Sequence, residues 1–150
     1  MLRIVVDSRE QEPFHFTDYD AEVVSGSLQT GDYSLFGLEP LVAVERKSLV
    51  DLVACLGRER ERFERELERI RAMESVLLVV ESPITELASG NYRSKLNPTA
   101  ALESVFAFMS RYRLPFYFAQ DRRGAERATF SFLRHYWRTV ERRYRAVVGG

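Results

Sequence analysis

The chain has 150 residues, of which 45% are hydrophobic and 29% charged, and its formal net charge is zero. These values are typical of one globular domain, and they exclude a disordered chain, a collagen and a small disulfide-rich scaffold. No apolar run approaches the roughly 20 residues that a membrane helix needs, the first residues lack a signal-peptide pattern, and Cys55 has no second cysteine to pair with. We therefore expect a single cytoplasmic domain over residues 1–150 with no membrane partner.

The acidic and basic side chains are distributed unevenly along the chain. The first 75 residues carry 10 basic and 16 acidic side chains, whereas the last 75 carry 12 basic and 6 acidic ones. Two interpretations stay open. In the first, the charges are paired with one another across a solvated surface. In the second, a cluster of carboxylates that binds a metal ion lies next to a basic track that binds a polyanion.

Short apolar runs with β-branched residues predict strands, and stripes spaced by three and four residues predict helices. The predicted strands cover residues 2–6, 22–28, 33–36, 41–44, 76–80 and 115–119. The predicted helices begin at Ser48, with a possible interruption at Gly57, and at Pro98, and a long final helix contains residues 130–144. Loops are expected at residues 12–20 and 90–98. This order predicts an α/β fold in which a central mixed sheet is covered by helices on both faces.

Three acidic residues share a position at or beside the end of a predicted strand, namely Asp7, Asp32 and Glu45. Carboxylates gathered at strand ends repel one another unless a cation neutralises them. Their hard oxygen atoms suit Mg²⁺ or Mn²⁺, with water and a substrate phosphate in the remaining positions. The alternative is three unrelated surface acids.

Lys47 is unusual because the chain contains 20 arginines and only 2 lysines. Glu45 and Lys47 lie two positions apart on a strand, so both side chains point to the same face. A carboxylate that binds a metal ion, next to an ammonium group near the attacking water, is what phosphodiester hydrolysis requires. An acid-x-Lys triplet also arises by chance.

The motifs around these residues resemble the nuclease domain of the XPF/Hef family. Its signature is an Asp-x-Arg-Glu strand end, a Gly-Asp pair and, after a variable gap, Glu-Arg-Lys-x-x-x-Asp. The matching segments, in the same order, are Val5-Val6-Asp7-Ser8-Arg9-Glu10, Gly31-Asp32-Tyr33 and Val44-Glu45-Arg46-Lys47-Ser48-Leu49-Val50-Asp51. Residues 92–98 resemble the standalone bacterial and phage members, and Arg93 and Lys95 in this segment are candidates for DNA contact.

The resemblance implies a PD-(D/E)XK restriction-endonuclease-like fold and a Mg²⁺-dependent DNA endonuclease in which Mn²⁺ substitutes for Mg²⁺. It implies that Asp32 and Glu45 are the main metal ligands. Asp7 and Glu10 would complete the acidic cluster, directly or through water, with Asp7 as a third ligand of the metal ion. Lys47 would position or deprotonate the attacking water. Arg9 and Arg46 would contact phosphate or hold the carboxylates in place.

Two further residues have competing interpretations. Asp51 belongs to the family motif, so the resemblance makes it a supporting residue, but Ser48-x-x-Asp51 is also a helix-capping pattern. Arg62 is a supporting candidate for phosphate contact, although the many charges around it are typical of a solvated helix face.

The resemblance also bears on the partners. It implies branched or flapped DNA as the substrate, in repair or recombination, and a homodimer that forms through the C-terminal helices. No helix-hairpin-helix or helicase segment is recognised in these residues, so we expect a helper DNA-binding subunit as a possible partner. In a bacterium the protein would be associated with the nucleoid. Two other functions stay open: a non-catalytic DNA-binding or dimerisation module with the same fold, and a restriction or exonuclease-type enzyme.

Overall fold

The computed structural model describes residues 1–149, and its centre is a six-stranded mixed sheet. The strands are β1 (Leu2–Asp7), β2 (Ala21–Gly26), β3 (Tyr33–Leu35), β4 (Val42–Lys47), β5 (Ser75–Val80) and β6 (Phe116–Phe118). Their spatial order is β2-β1-β3-β4-β5-β6. The short β3 runs antiparallel to both of its neighbours, and every other adjacent pair is parallel.

Five helices cover the two faces of this sheet. They are α1 (Leu49–Leu56), α2 (Arg60–Arg71), α3 (Ile84–Ala88), α4 (Pro98–Tyr112) and α5 (Arg122–Val148). Helix α5 packs on one face, against β3, β4 and β5, while α1, α2 and α4 pack together on the other. In residues 1–149 no helix combines the length and the apolar character needed to cross a membrane.

The core has one layer on each face of the sheet. The layer under α5 contains Ile4, Val6, Val42, Val44, Leu77, Val79, Leu133 and Tyr136. The opposite layer contains Leu52, Phe63, Leu67, Leu78, Val80, Val105 and Phe108. Burying one large apolar side chain contributes about 1.5–3 kcal/mol to the stability of the fold. Because an apolar layer and helices lie on each face of the sheet, the prediction of a mixed sheet with both faces covered is confirmed.

The main differences from the predicted elements concern charged and short segments. Strand β4 continues through Lys47 rather than ending at residue 44, because its last three residues pair with β5. By contrast, the predicted interruption at Gly57 is confirmed, because Gly57 ends α1 and the stripe continues in α2 from Arg60. Helix α3 was not predicted, since five residues are too few to show a helical period.

The predicted loop at residues 12–20 is part of the core. Phe14 and Phe16 are both buried, and the ring of Phe14 stacks on that of Tyr33 with the ring centroids 5.2 Å apart. Helix α5 also begins earlier than the apolar stripe indicated. Its N-cap is Asp121, whose carboxylate accepts the N–H of Gly124 at 2.8 Å.

Candidate active site

Three of the predicted acidic residues, Asp7, Asp32 and Glu45, line one cleft where β1, β3 and β4 meet. Asp32 lies in the turn before β3, and its backbone forms hydrogen bonds with both neighbouring strands, β1 and β4. The N–H of Asp7 donates to the Asp32 carbonyl at 2.9 Å, and the N–H of Asp32 donates to the Val44 carbonyl at 2.9 Å. Gly31 permits this turn, because its φ is +81° and a Cβ at that position would lie only 2.7 Å from the Cβ of Ala43.

These residues line a cleft of about 340 Å³ that is open to solvent. Its walls come from the strand ends, from the turn before β3 and from one face of α2. The lining residues are Asp7, Arg9, Gln29, Thr30, Gly31, Asp32, Glu45, Glu66, Arg69 and Ile70. The cleft therefore combines at least four carboxylates with two arginine side chains.

Asp32 and Glu45 form an electrostatically strained pair in this cleft. Burial, together with repulsion from the neighbouring Glu45 carboxylate, raises the pKa of Asp32 to about 8. Burial also raises the pKa of Glu45, although the Lys47 ammonium opposes this change. Two carboxylates that resist ionisation together are stabilised when a cation binds between them.

Lys47 forms an ion pair with one member of this pair, Glu45. Its Nζ lies 3.3 Å from Oε1 of Glu45, and both side chains are mostly buried. Burial alone would lower the pKa of Lys47, but the attraction of Glu45, and to a smaller extent that of Glu66, raises it above its ordinary value. Lys47 is therefore a protonated hydrogen-bond donor at neutral pH. The expected common face of Glu45 and Lys47 is confirmed.

The Arg46 side chain points to the opposite face of β4, away from the cleft. Its Nη1 donates to Glu10 at 3.0 Å, its Nε donates to Glu81, and its guanidinium lies 4.2 Å from the ring centroid of Phe14. Only its backbone reaches the acidic pair, through an N–H that donates to Oδ2 of Asp32 at 2.8 Å. Of the two predicted roles, this geometry matches holding carboxylates in place.

Arg46, Glu10, Glu81 and Tyr33 form a hydrogen-bonded group, called here the Arg46 cluster. Glu10 thus belongs to this cluster and does not line the cleft. Besides Arg46, its carboxylate accepts the hydroxyl of Tyr33 at 2.9 Å. The hydroxyl oxygen of Tyr33 in turn accepts the N–H of Phe14 at 2.9 Å. Glu10 therefore supports the turn that carries Asp32 from the other face of the sheet.

Asp7 lines the cleft, but both of its carboxylate oxygens already have partners. Oδ1 accepts the N–H of Leu28 at 3.1 Å, and Oδ2 accepts Nε of Arg9 at 2.9 Å. Arg9 also donates to the Leu28 carbonyl at 2.6 Å, while most of its side chain stays exposed at the mouth of the cleft. In this arrangement Asp7 positions Arg9 and the segment before the Asp32 turn.

The donor atoms suit a metal ion that takes few protein ligands. In residues 1–149 no group of three or more His, Cys, Asp or Glu side chains is close enough to hold a metal ion together. Mg²⁺ commonly binds one or two carboxylates and completes its shell with water and substrate phosphate. The buried pair of Asp32 and Glu45 has this character.

The other predicted supporting residues lie outside the cleft lining. Asp51 is exposed in the first turn of α1, and its N–H donates to Oγ of Ser48 at 3.1 Å, as the capping interpretation requires. Arg62 pairs with Glu59 at 2.9 Å on the exposed side of α2. Arg93 and Lys95 are exposed in the segment before α4.

Glu66 and Arg69 line the cleft although neither was predicted as a site residue. A signal for Glu66 was present in the sequence: it lies three residues after Phe63 and four before Ile70, so it belongs to the buried stripe of α2. A charged residue on an apolar stripe indicates a position that faces a site. Arg69 lies off that stripe and gives no such signal.

Comparisons with known proteins agree with the fold and with the motif. A family model described as the ERCC4 domain matches residues 6–130. The structure of XPF from Aeropyrum pernix matches with a TM-score of 0.72 and 24% identity over 88% of this chain and 60% of that chain. XPF from Aeropyrum pernix in complex with DNA matches with a TM-score of 0.73 and 22% identity over 93% and 66%.

The chain thus spans no more than about two thirds of the solved structures that it matches. No curated protein matches it. The predicted restriction-endonuclease-like fold is confirmed by the structural likeness.

Proposed function

The chain belongs to the ERCC4 domain family, and from this membership we propose that it is a metal-dependent endonuclease that hydrolyses phosphodiester bonds in DNA. The observation that carries the proposal is the strained pair of Asp32 and Glu45, with Lys47 on the same face of β4. A buried acidic pair beside a protonated lysine, in an open cleft, suits a phosphate and a metal ion.

In the proposed site, Asp32 and Glu45 hold Mg²⁺ or Mn²⁺. The bound ion would stabilise negative charge on the phosphate and make the attacking water more acidic. The N–H of Arg46 fixes the Asp32 carboxylate, and Lys47 fixes the Glu45 carboxylate, so both ligands keep their orientation. Asp7, predicted as a third ligand, reaches the ion in this proposal only if it gives up one of its present partners.

Lys47 orients the attacking water and donates a hydrogen bond to the phosphate. A lysine whose pKa is raised holds its proton at neutral pH, so it stabilises charge rather than acting as a base. Of the two roles that the family resemblance implied for Lys47, positioning the water is therefore the one proposed. Arg9, which is largely exposed at the mouth of the cleft, contacts a backbone phosphate.

We propose branched or flapped DNA as the substrate, in repair or recombination. Contact through charge, with little recognition of bases, fits a cleft whose exposed cations are arginines. The C-terminal helix offers a surface for a second copy, because Trp137 and Tyr144 are exposed on it. A helper DNA-binding subunit and an association with the nucleoid belong to the same proposal.

The test is a cleavage assay with end-labelled flap, splayed-arm and plain duplex DNA. The full chain is assayed with Mg²⁺ and with EDTA, beside Lys47→Ala and the control Arg123→Ala, which removes an exposed cation from α5. We expect cleavage that needs the metal, that is lost in Lys47→Ala and that persists in Arg123→Ala. Equal cleavage by Lys47→Ala would remove this lysine from the reaction. No cleavage of any substrate would contradict the endonuclease proposal for this chain.

A further inference from the structure

A second groove, of about 510 Å³, lies between α1 and the segment that precedes α4. One wall is the outer face of α1, where Val50 is 73% exposed although it is a large apolar residue. The other wall is formed by the residues that follow Gly90. The lining residues are Leu49, Val50, Val53, Ala54, Arg58, Asn91, Tyr92, Arg93 and Ser94.

The charge of this groove is of one sign. Its lining includes two arginines and no acidic residue, whereas four other surface pockets each include at least one Asp or Glu. Arg58 and Arg93 are exposed, and within residues 1–149 neither forms an ion pair. The same is true of Lys95, two residues further along. The groove therefore presents unneutralised positive charge to an anionic ligand.

The wall that carries Arg93 is held in place by its own hydrogen bonds. The Tyr92 hydroxyl donates to the Leu96 carbonyl at 2.7 Å, and the N–H of Leu96 donates to Oγ of Ser94 at 3.1 Å. Tyr92 and Leu96 also pack against the core layer beneath α1. The groove is therefore already formed before a ligand binds, and little entropy is lost in ordering this segment on binding.

We propose that this groove binds a single-stranded segment of the DNA substrate, an inference that rests on the proposed function. Arg58 and Arg93, with Lys95 beside them, contact the phosphates. The apolar face of α1 and the Tyr92 ring contact the bases. Single-strand sites combine a cationic groove with surfaces on which bases lie. In a duplex those base faces are stacked inside and cannot reach Val50.

The groove adjoins the candidate active site along the chain. Only Ser48 separates Lys47 from Leu49, so their Cα atoms are at most about 7.6 Å apart. In this proposal, a strand that lies in the groove would continue toward a phosphate held at Lys47. Cleavage would then occur close to the point where a duplex opens into a single strand.

The test measures binding without cleavage, by fluorescence anisotropy of the full chain in EDTA. The probes are a splayed-arm DNA, a plain duplex of the same length, and the same splayed-arm DNA with abasic arms. The variants are Arg58→Gln with Arg93→Gln, and Val50→Asp. Val50 lies in the first turn of α1, where a carboxylate is compatible with the helix, so Val50→Asp is expected to fold. The matched control, Arg123→Gln with Arg127→Gln, removes two exposed cations from α5.

We expect both groove variants to lose about tenfold in affinity for the splayed-arm DNA and to keep the affinity of the wild type for the duplex. The slope of log affinity against log salt concentration should fall by about 1.4 in the double arginine variant, because two phosphate contacts are lost. The abasic arms should weaken binding by the wild type more than binding by Val50→Asp.

Equal losses on duplex and splayed-arm DNA, or losses no larger than those of the control, would overturn the inference. The two proposals fail separately. A chain that cuts DNA while its groove variants bind like the wild type keeps the proposed function and loses the groove. If the chain binds single strands through the groove but cuts no DNA, the groove proposal stands and the endonuclease proposal fails.

Discussion

Replacing Asp32 with asparagine should stabilise the metal-free protein while weakening its binding of Mg²⁺. Burial, followed by repulsion from Glu45, raises the pKa of Asp32 from 3.8 to about 8. The unfolded chain releases this proton near pH 4, whereas the folded chain keeps it until about pH 8. The free energy of unfolding therefore falls as the pH rises through this window and levels off above it.

The size of the effect follows from the same shift. Each pKa unit corresponds to about 1.36 kcal/mol, which sets an upper limit of about 5 kcal/mol near pH 8. A carboxylate at the edge of an open cleft keeps part of its hydration, so we expect asparagine to recover about 2 kcal/mol. For a chain of this length that is an increase in Tm of about 4–8 °C. An asparagine oxygen can still accept the N–H of Arg46.

The assay is thermal unfolding followed by circular dichroism, in EDTA at pH 5.5 and pH 8.5. Asp32→Asn should exceed the wild type by more at the higher pH. The control Asp18→Asn, at an exposed carboxylate with no ion pair in residues 1–149, should follow the wild type. Mg²⁺ at 100 times its Kd should stabilise the wild type by about 2.7 kcal/mol and Asp32→Asn by much less.

Two results together would refute this reasoning. The first is an Asp32→Asn protein that is no more stable than the wild type at pH 8.5 in EDTA. The second is an equal rise in Tm of both proteins when Mg²⁺ is added. Asp32 would then be neither a strained acid nor a metal ligand.

Arg46→Ala should lower the free energy of unfolding by about 3–5 kcal/mol in urea titrations, because Glu10 and Glu81 lose their shared partner. Arg62→Ala, at an exposed ion pair, should change it by less than about 1 kcal/mol, and an equally small change in Arg46→Ala would contradict the cluster described above. Ser48→Ala should cost about 1 kcal/mol, or about 2–4 °C in Tm, through the lost helix cap. Asp51→Ala should cost less and, in cleavage assays, should keep the specific activity of the wild type; its inactivation would show that Asp51 acts in the reaction.

The face shared by Glu45 and Lys47 could be predicted because it depends on neighbouring positions only. A strand alternates its side chains between two faces, so residues two apart lie together whatever the rest of the chain does. The position of Asp32 could be predicted for a similar reason. The Gly-Asp pair predicts a turn, and a turn beside a strand places its side chains at the sheet edge.

The environment of Arg46 could not be predicted, because its partners are distant in sequence. Glu10 and Glu81 lie 36 and 35 residues away, and nothing local indicates that all three meet on one face of the sheet. The burial of Phe14 and Phe16 could not be predicted for the same reason. Their segment has no regular period, and they become core residues only when β3 and α5 pack against them.

The Arg46 cluster also links the cleft to the order in which the chain folds. Residues from the segment after β1, from β4 and from the end of β5 must all be present before the cluster is complete. A nascent chain that ends before Ser75 lacks both the Glu81 acceptor for Nε of Arg46 and the strand β5 with which β4 pairs. Contacts between such distant segments form late, when the sheet closes cooperatively. We therefore expect that ribosome-bound fragments shorter than about half the chain bind metal no better than an unfolded peptide, and that the acidic pair acquires its shifted pKa values in the same step that completes the sheet.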